Sequence, residues 1–121
     1  MFEILHTVVE TEPFLKRATS LWDEKERQEF IDFIAVNPLA GAEIPGTGGL
    51  RKIRWSRAGM GKRGGARVIY YYYNETAPVF LLAAYAKSEK EDLSPQEKAL
   101  FSKVAEAIKS QIRERRKAKR Q

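Results

Sequence analysis

The sequence predicts an α+β domain built on a small, mainly antiparallel sheet of about four strands. Three observations carry this. Apolar, β-branched or aromatic runs at Leu50–Ser56, Arg67–Asn74 and Val79–Ala86 follow one another with only turn-forming residues between them, as hairpin-linked strands do. Two helical patterns precede them, and a capping box followed by an apolar repeat comes after. The order β-α-α-β-β-β-α, with helices gathered at the ends, is that of an α+β fold rather than an alternating α/β one. At 121 residues, 43% hydrophobic and 31% charged, the chain is read as one domain over 1–121, able to bury a core without staples.

Phe2 to Val9 suits a first strand, ending at the acidic turn Glu10-Thr11-Glu12. Pro13 is placed for a first helical position and opens a short helix through about Ser20. A second helix starts near Leu21–Asp23, with Phe30, Ile31, Phe33 and Ile34 as its apolar stripe, and Asn37-Pro38 stops it. Asn37 to Gly49, with two prolines and four glycines, reads as a loop; its Gly-Thr-Gly-Gly lacks the Gly-Lys-Ser/Thr ending of a phosphate-cradling loop, so the glycines are assigned to turn geometry. Period two in Leu50–Ser56 puts Arg51, Ile53 and Trp55 on one face and Lys52, Arg54 and Ser56 on the other. Arg57 to Ala66, with four glycines, is a long hairpin loop. Within Tyr70–Tyr73 alternate rings face opposite ways, so one pair packs in the core, and base stacking by the other stays open. The nearly all-apolar VFLLAAYA run should be central and covered on both faces. Ser94-Pro95-Gln96-Glu97 caps a long last helix on which Leu100, Val104, Ile108 and Ile112 form an apolar stripe, with a basic end at about 113–121.

Composition removes several kinds of chemistry. There is no cysteine, so no disulfide, thiolate ligand or thiol nucleophile, and the one histidine, His6, lies in the first strand, where a structural role is expected. No cofactor and no metal site are expected. No apolar run approaches the roughly 20 residues of a membrane span, and the expectation is a soluble cytoplasmic protein with no membrane contact.

The net charge of +6 is unevenly distributed. Residues 1–49 carry −5, residues 75–112 carry −1 and the last nine carry +5. Residues 50–74 carry +7, from Arg51, Lys52, Arg54, Arg57, Lys62, Arg63 and Arg67 with no acid among them. Those cations alternate with core-type residues, so they belong to folded structure, and folded positive charge without partners invites phosphate. Such a patch can bind RNA or cleave it without a metal: a ribose 2′-hydroxyl loses a proton and attacks the neighbouring phosphate, cations stabilise the phosphorane, and the 5′-oxygen is protonated as it leaves. A lysine or tyrosine could act as the base only if its pKa dropped from roughly 10 toward neutrality, a differential stabilisation of about 4 kcal/mol. The residues alone leave binding and cleavage both open.

From Gly46 to Ala99 the sequence resembles HigB-type toxins of the RelE/ParE superfamily, through GTGGLRKIRW, GKRGGARVIYYY and LLAAYAKSEKEDLS. The resemblance implies a toxin of a type II toxin–antitoxin pair, an endoribonuclease that cleaves mRNA in the ribosomal A site and leaves a 2′,3′-cyclic phosphate and a 5′-hydroxyl. It implies a HigA-like helix-turn-helix antitoxin as partner, with operator DNA bound only through the complex. The family's catalytic cations fall on Lys52, Arg54 and Arg67. Its later Lys-Arg reads Lys87-Ser88, and its tyrosine near the start of the last helix is replaced by Ser94 or a neighbour. Lys87 is therefore taken into the catalytic set, with Tyr85 and Lys90 as compensating contacts and Arg51, Arg57, Lys62 and Arg63 as further RNA contacts. Two rivals remain: a ParE-like inhibitor of DNA gyrase on the same fold, and a non-catalytic RNA- or ribosome-binding module.

Overall fold

The computed structural model describes residues 5–56 and 65–119. Five strands, β1 (Val8–Glu10), β2 (Ala42–Glu43), β3 (Leu50–Trp55), β4 (Ala66–Tyr72) and β5 (Val79–Ala86), form one sheet in the order β1-β5-β4-β3-β2. β1 runs parallel to β5, and every other neighbouring pair is antiparallel. Helices α1 (Glu12–Leu21) and α2 (Glu24–Val36) follow β1, and α3 (Pro95–Lys119) closes the chain. The α+β architecture is as the sequence predicts, with one strand more.

That extra strand, β2, falls in the stretch read as a loop. Its two residues carry no alternation to detect; tertiary contacts hold them in place. The Tyr70 hydroxyl, buried, donates to Pro38 O at 2.8 Å and accepts from Gly41 N at 2.8 Å, and Arg51 Nη1 donates to Gly41 O at 2.6 Å. Gly41 is needed for that approach, since a Cβ there would stand 2.7 Å from Tyr70 Cε1. The glycines at 46, 48 and 49 have φ of 75°, 73° and 117°, the left-handed region that glycine reaches without strain, and they turn the chain into β3.

Capping explains the N-terminal helices. Asp23 and Glu26 exchange a full capping box, with Glu26 N donating to Asp23 Oδ1 at 2.7 Å and Asp23 N donating to Glu26 Oε1 at 3.1 Å. Thr11 occupies the cap position of α1 without capping it, because its hydroxyl donates to Leu81 O at 2.7 Å and fastens the helix start to β5.

The sheet is covered on both faces. Phe14 of α1 and Phe30 and Ile34 of α2 pack with Val68, Tyr70 and Leu81 of the sheet, while Ala105 of α3 packs with Leu50, Ile69, Tyr71 and Leu82. Both faces of the tyrosine run are thus core: Tyr70 and Tyr71 are buried on opposite sides, and Tyr72 and Tyr73 pack beside them. A register shift between Ile69 and Tyr70 lets Leu82 and Ala83 of β5 both turn toward α3.

α3 departs from expectation in the face it turns to the sheet. Its sheet-facing stripe is Ala105, buried, with Phe101 and Ile108 half-buried, whereas Leu100 and Val104 stay 59% and 36% exposed. A strict four-residue repeat walks about 40° around a helix at each step, so only the later half of the expected stripe still faces the sheet. The helix continues through the basic end as far as Lys119.

Candidate nucleic-acid interface

Alternation along β3 and β4 places the cations. Ile53, Trp55, Ala66 and Val68 point into the α1/α2 core, so Lys52, Arg54 and Arg67 point to the opposite face, the one that α3 covers. α3 starts beside Leu93 and leaves this end of the sheet open. The result is a cleft of about 280 Å³ lined by Lys52, Arg54, Arg67, Lys87, Glu91 and Asp92. All four residues expected to be catalytic therefore line one opening.

Arg54 and Arg67 are direct partners across the β3–β4 ladder. Like charges placed opposite each other destabilise a sheet, and an anion between them relieves the repulsion. Arg67 is only 7% exposed, and among the described residues its side chain makes one long hydrogen bond, from Nη1 to Ala66 O at 3.4 Å. A guanidinium carries five N–H donors in a rigid fork, so most of this one's donor capacity faces the cleft without a described partner. Arg54 is exposed beside it.

The two carboxylates, Glu91 and Asp92, are the residues that charge counting misses, because they sit in a segment near neutrality and 40 residues beyond Lys52. Their one sequence signal is that they belong to the quoted AYAKSEKEDLS stretch. Asp92 Oδ1 accepts from Lys52 Nζ in an ion pair. That hydrogen bond and the charge behind it hold the Asp92 carboxyl below the usual carboxylate range, with Lys98 and Arg67 adding to the effect. Lys52 is therefore engaged by an internal anion.

Tyr85 lies opposite Arg67 on β5 and is 3% exposed. Its hydroxyl donates to the Glu91 carbonyl at 3.2 Å, and burial, reinforced by the Asp92 charge, pushes its pKa up to about 12. This is the wrong direction for a base at neutral pH; the basic surroundings invoked from the sequence are outweighed by desolvation. What the phenol does is hold the Glu91–Asp92 turn against the sheet.

The other expected contacts are dispersed. Lys90 stands 5.0 Å over the Tyr85 ring and pairs with Glu97, away from the cleft lining. Arg51 projects from the opposite face and binds Gly41 O and, at 3.3 Å, Glu43. Arg57, Lys62 and Arg63 lie outside the described residues. Ser94, where the family pattern has a tyrosine nearby, caps α3 by accepting from Glu97 N at 3.1 Å, and the neighbouring Leu93 is buried. Among the described residues no three His, Cys, Asp or Glu side chains come together to hold a metal ion.

Such a cleft has the chemistry to hold a phosphodiester. Its two arginines can fork onto non-bridging oxygens, its two lysines supply mobile charge, and its carboxylates can accept a proton.

Comparison with known proteins agrees with this architecture. Residues 34–119 match the family described as RelE toxin of the RelE/RelB toxin–antitoxin system. A solved structure of an E. coli RelE toxin double mutant in the free state superimposes with a TM-score of 0.52 at 19% identity, covering 72% of this chain and 88% of that one. At that identity the likeness concerns the fold. None of the described helices is long and apolar enough to cross a membrane.

Proposed function

Because this chain belongs to the RelE toxin family of toxin–antitoxin systems, we propose that it is a HigB-type toxin that arrests translation by cutting mRNA in the ribosomal A site. The observation that carries the reading is the convergence of Lys52, Arg54, Arg67 and Lys87 on one cleft, with the two arginines opposed across the ladder.

In this mechanism the scissile phosphate enters between Arg54 and Arg67, whose charges repel one another until an anion separates them. Lys52 exchanges Asp92 for a phosphate oxygen. That exchange removes the main cause of the lowered Asp92 pKa, so the carboxylate becomes more basic when RNA is bound. Asp92 then takes the proton of the 2′-hydroxyl, the 2′-oxygen bonds to phosphorus, and the arginine forks stabilise the added charge on the phosphorane. The bond from phosphorus to the 5′-oxygen breaks, and the Lys87 ammonium protonates the leaving oxygen. The products are a 2′,3′-cyclic phosphate and a 5′-hydroxyl. The partner is a HigA-like helix-turn-helix antitoxin, and an acidic segment of it laid over the cleft would neutralise the cations and exclude RNA. Operator DNA is bound through that complex, and the setting is the cytoplasm.

Mapping mRNA 5′ ends after induction of the protein tests the reading. New ends should appear within translated regions, and they should vanish when the ribosome-binding site of a reporter transcript is removed. An intact transcript pool accompanied by DNA damage would instead make the target DNA gyrase.

A further inference from the structure

The basic end of α3 has a geometry that the cleft does not use. At 100° per residue, Lys98, Lys109, Arg113 and Arg116 fall within about 60° of arc on the flank of the helix beside its buried stripe. Lys98 stands at the cleft end, where its charge acts on Asp92. The other three gather at the far end around Tyr73, which follows β4: Arg113 Nε donates to the Tyr73 hydroxyl at 3.4 Å, and that bond, with the charges of Arg113, Lys109 and Arg116, holds the phenol below the usual tyrosine range. Arg113 and Arg116 are exposed and Lys109 half-buried. Among the described residues none of the three is in an ion pair; Glu106 is the carboxylate whose charge acts on Arg113, and Glu114 pairs with Lys117 instead.

We propose that Lys109, Arg113 and Arg116 form a second phosphate-binding site, which holds the same RNA strand where it runs out of the cleft along α3. This rests on the cleft being an RNA site. Three points favour the substrate strand as the occupant. The cluster is on the same sheet face as the cleft; it is fixed to the sheet through Tyr73; and it lies about 16 to 27 Å from Lys98 along the helix, roughly five to eight stacked nucleotides away. A strand that reaches both sites is held at two points, so the phosphate in the cleft is set in register by contacts that take no part in the chemistry.

The test is binding of 2′-O-methyl RNA, which cannot be cut by 2′-oxygen attack, as a 4-mer and a 12-mer over a range of salt. The parent protein should bind the 12-mer more tightly and with a steeper salt dependence. Lys109→Ala/Arg116→Ala should lose most of that gain and flatten the log–log slope for the 12-mer by about 1.4, two released counterions' worth for a single strand. Its affinity for the 4-mer should be unchanged. Lys103→Ala, about 140° around the helix from Lys98, should behave like the parent. Equal slopes for the parent and the double variant would overturn the proposal, as would an equal loss in Lys103→Ala, which would mean that net charge rather than position matters. A double variant that binds the 12-mer normally but has lost affinity for ribosomes would also overturn it, assigning the cluster to ribosomal RNA. If the 4-mer binds neither protein while the 12-mer slope still falls in the double variant, the distal site stands and the cleft reading fails.

Discussion

Replacing Arg67 by methionine is expected to lower the rate of mRNA cleavage about 10³-fold while leaving the protein no less stable than the parent. The rate effect follows from position. Arg67 is buried at the floor of the cleft with most of its donors unmatched among the described residues, and removing one donor to a developing oxyanion in such a setting costs about 10²–10³. The loss of a full charge in a poorly hydrated site places it at the upper end. The stability effect follows from the same facts with opposite sign. Methionine keeps much of the side-chain volume, while the substitution removes a buried cation and its repulsion with Arg54. Activity measured with translating ribosomes, together with a urea unfolding midpoint, checks both halves. A variant that loses activity only because it unfolds would show Arg67 to be structural.

Asp92→Asn separates a catalytic carboxylate from a mere tether. If Asp92 takes the 2′-hydroxyl proton, the amide variant should lose about 10²–10⁴ in turnover, the range of a missing general base. Its KM should not rise, because Lys52 is freed from its internal partner and the cleft becomes more positive. If Asp92 only occupies Lys52 in the empty protein, the variant should bind RNA more tightly and cut it as fast as before. Comparison of turnover and KM therefore assigns the role, which the loss of toxicity alone would not.

How far the sequence revealed this site differs from residue to residue. Lys52, Arg54 and Arg67 were visible because strand alternation is a local rule, and a run of +7 in a folded segment has few explanations. The pairing of Arg54 with Arg67 depends on the hairpin register, which the long loop between them does not specify from sequence. Asp92 was invisible because its significance is an ion pair spanning 40 residues. Tyr85 was given a contact role to compensate for the residues of the family pattern missing here; its burial depends on how β5 packs under the start of α3. The fold was legible for the same reason as the cations. Apolar alternation, the capping box at Ser94 and the turn residues are local signals, whereas β2 exists through Tyr70 and Arg51 reaching across from other strands. On α3 the four-residue apolar repeat was right at Ile108 and wrong in its first half, where only the sheet selects Phe101 and Ala105 over Leu100 and Val104.

The cleft accounts for the placing of a strongly basic segment between two that carry net negative charge. In the proposed mechanism the cations are gathered where the phosphate sits, and Asp92, which pairs with Lys52 in the free protein, gives it up to that phosphate.

The claim that this cleft cuts RNA by attack of the 2′-oxygen is tested most directly by the end groups of the products. When mRNA on translating ribosomes is exposed to the purified protein, the fragments should carry 5′-hydroxyl ends, labelled by polynucleotide kinase without prior phosphatase treatment, and 2′,3′-cyclic phosphates. Fragments with 5′-phosphate and 3′-hydroxyl ends, or no fragments at all while translation stops, would contradict it.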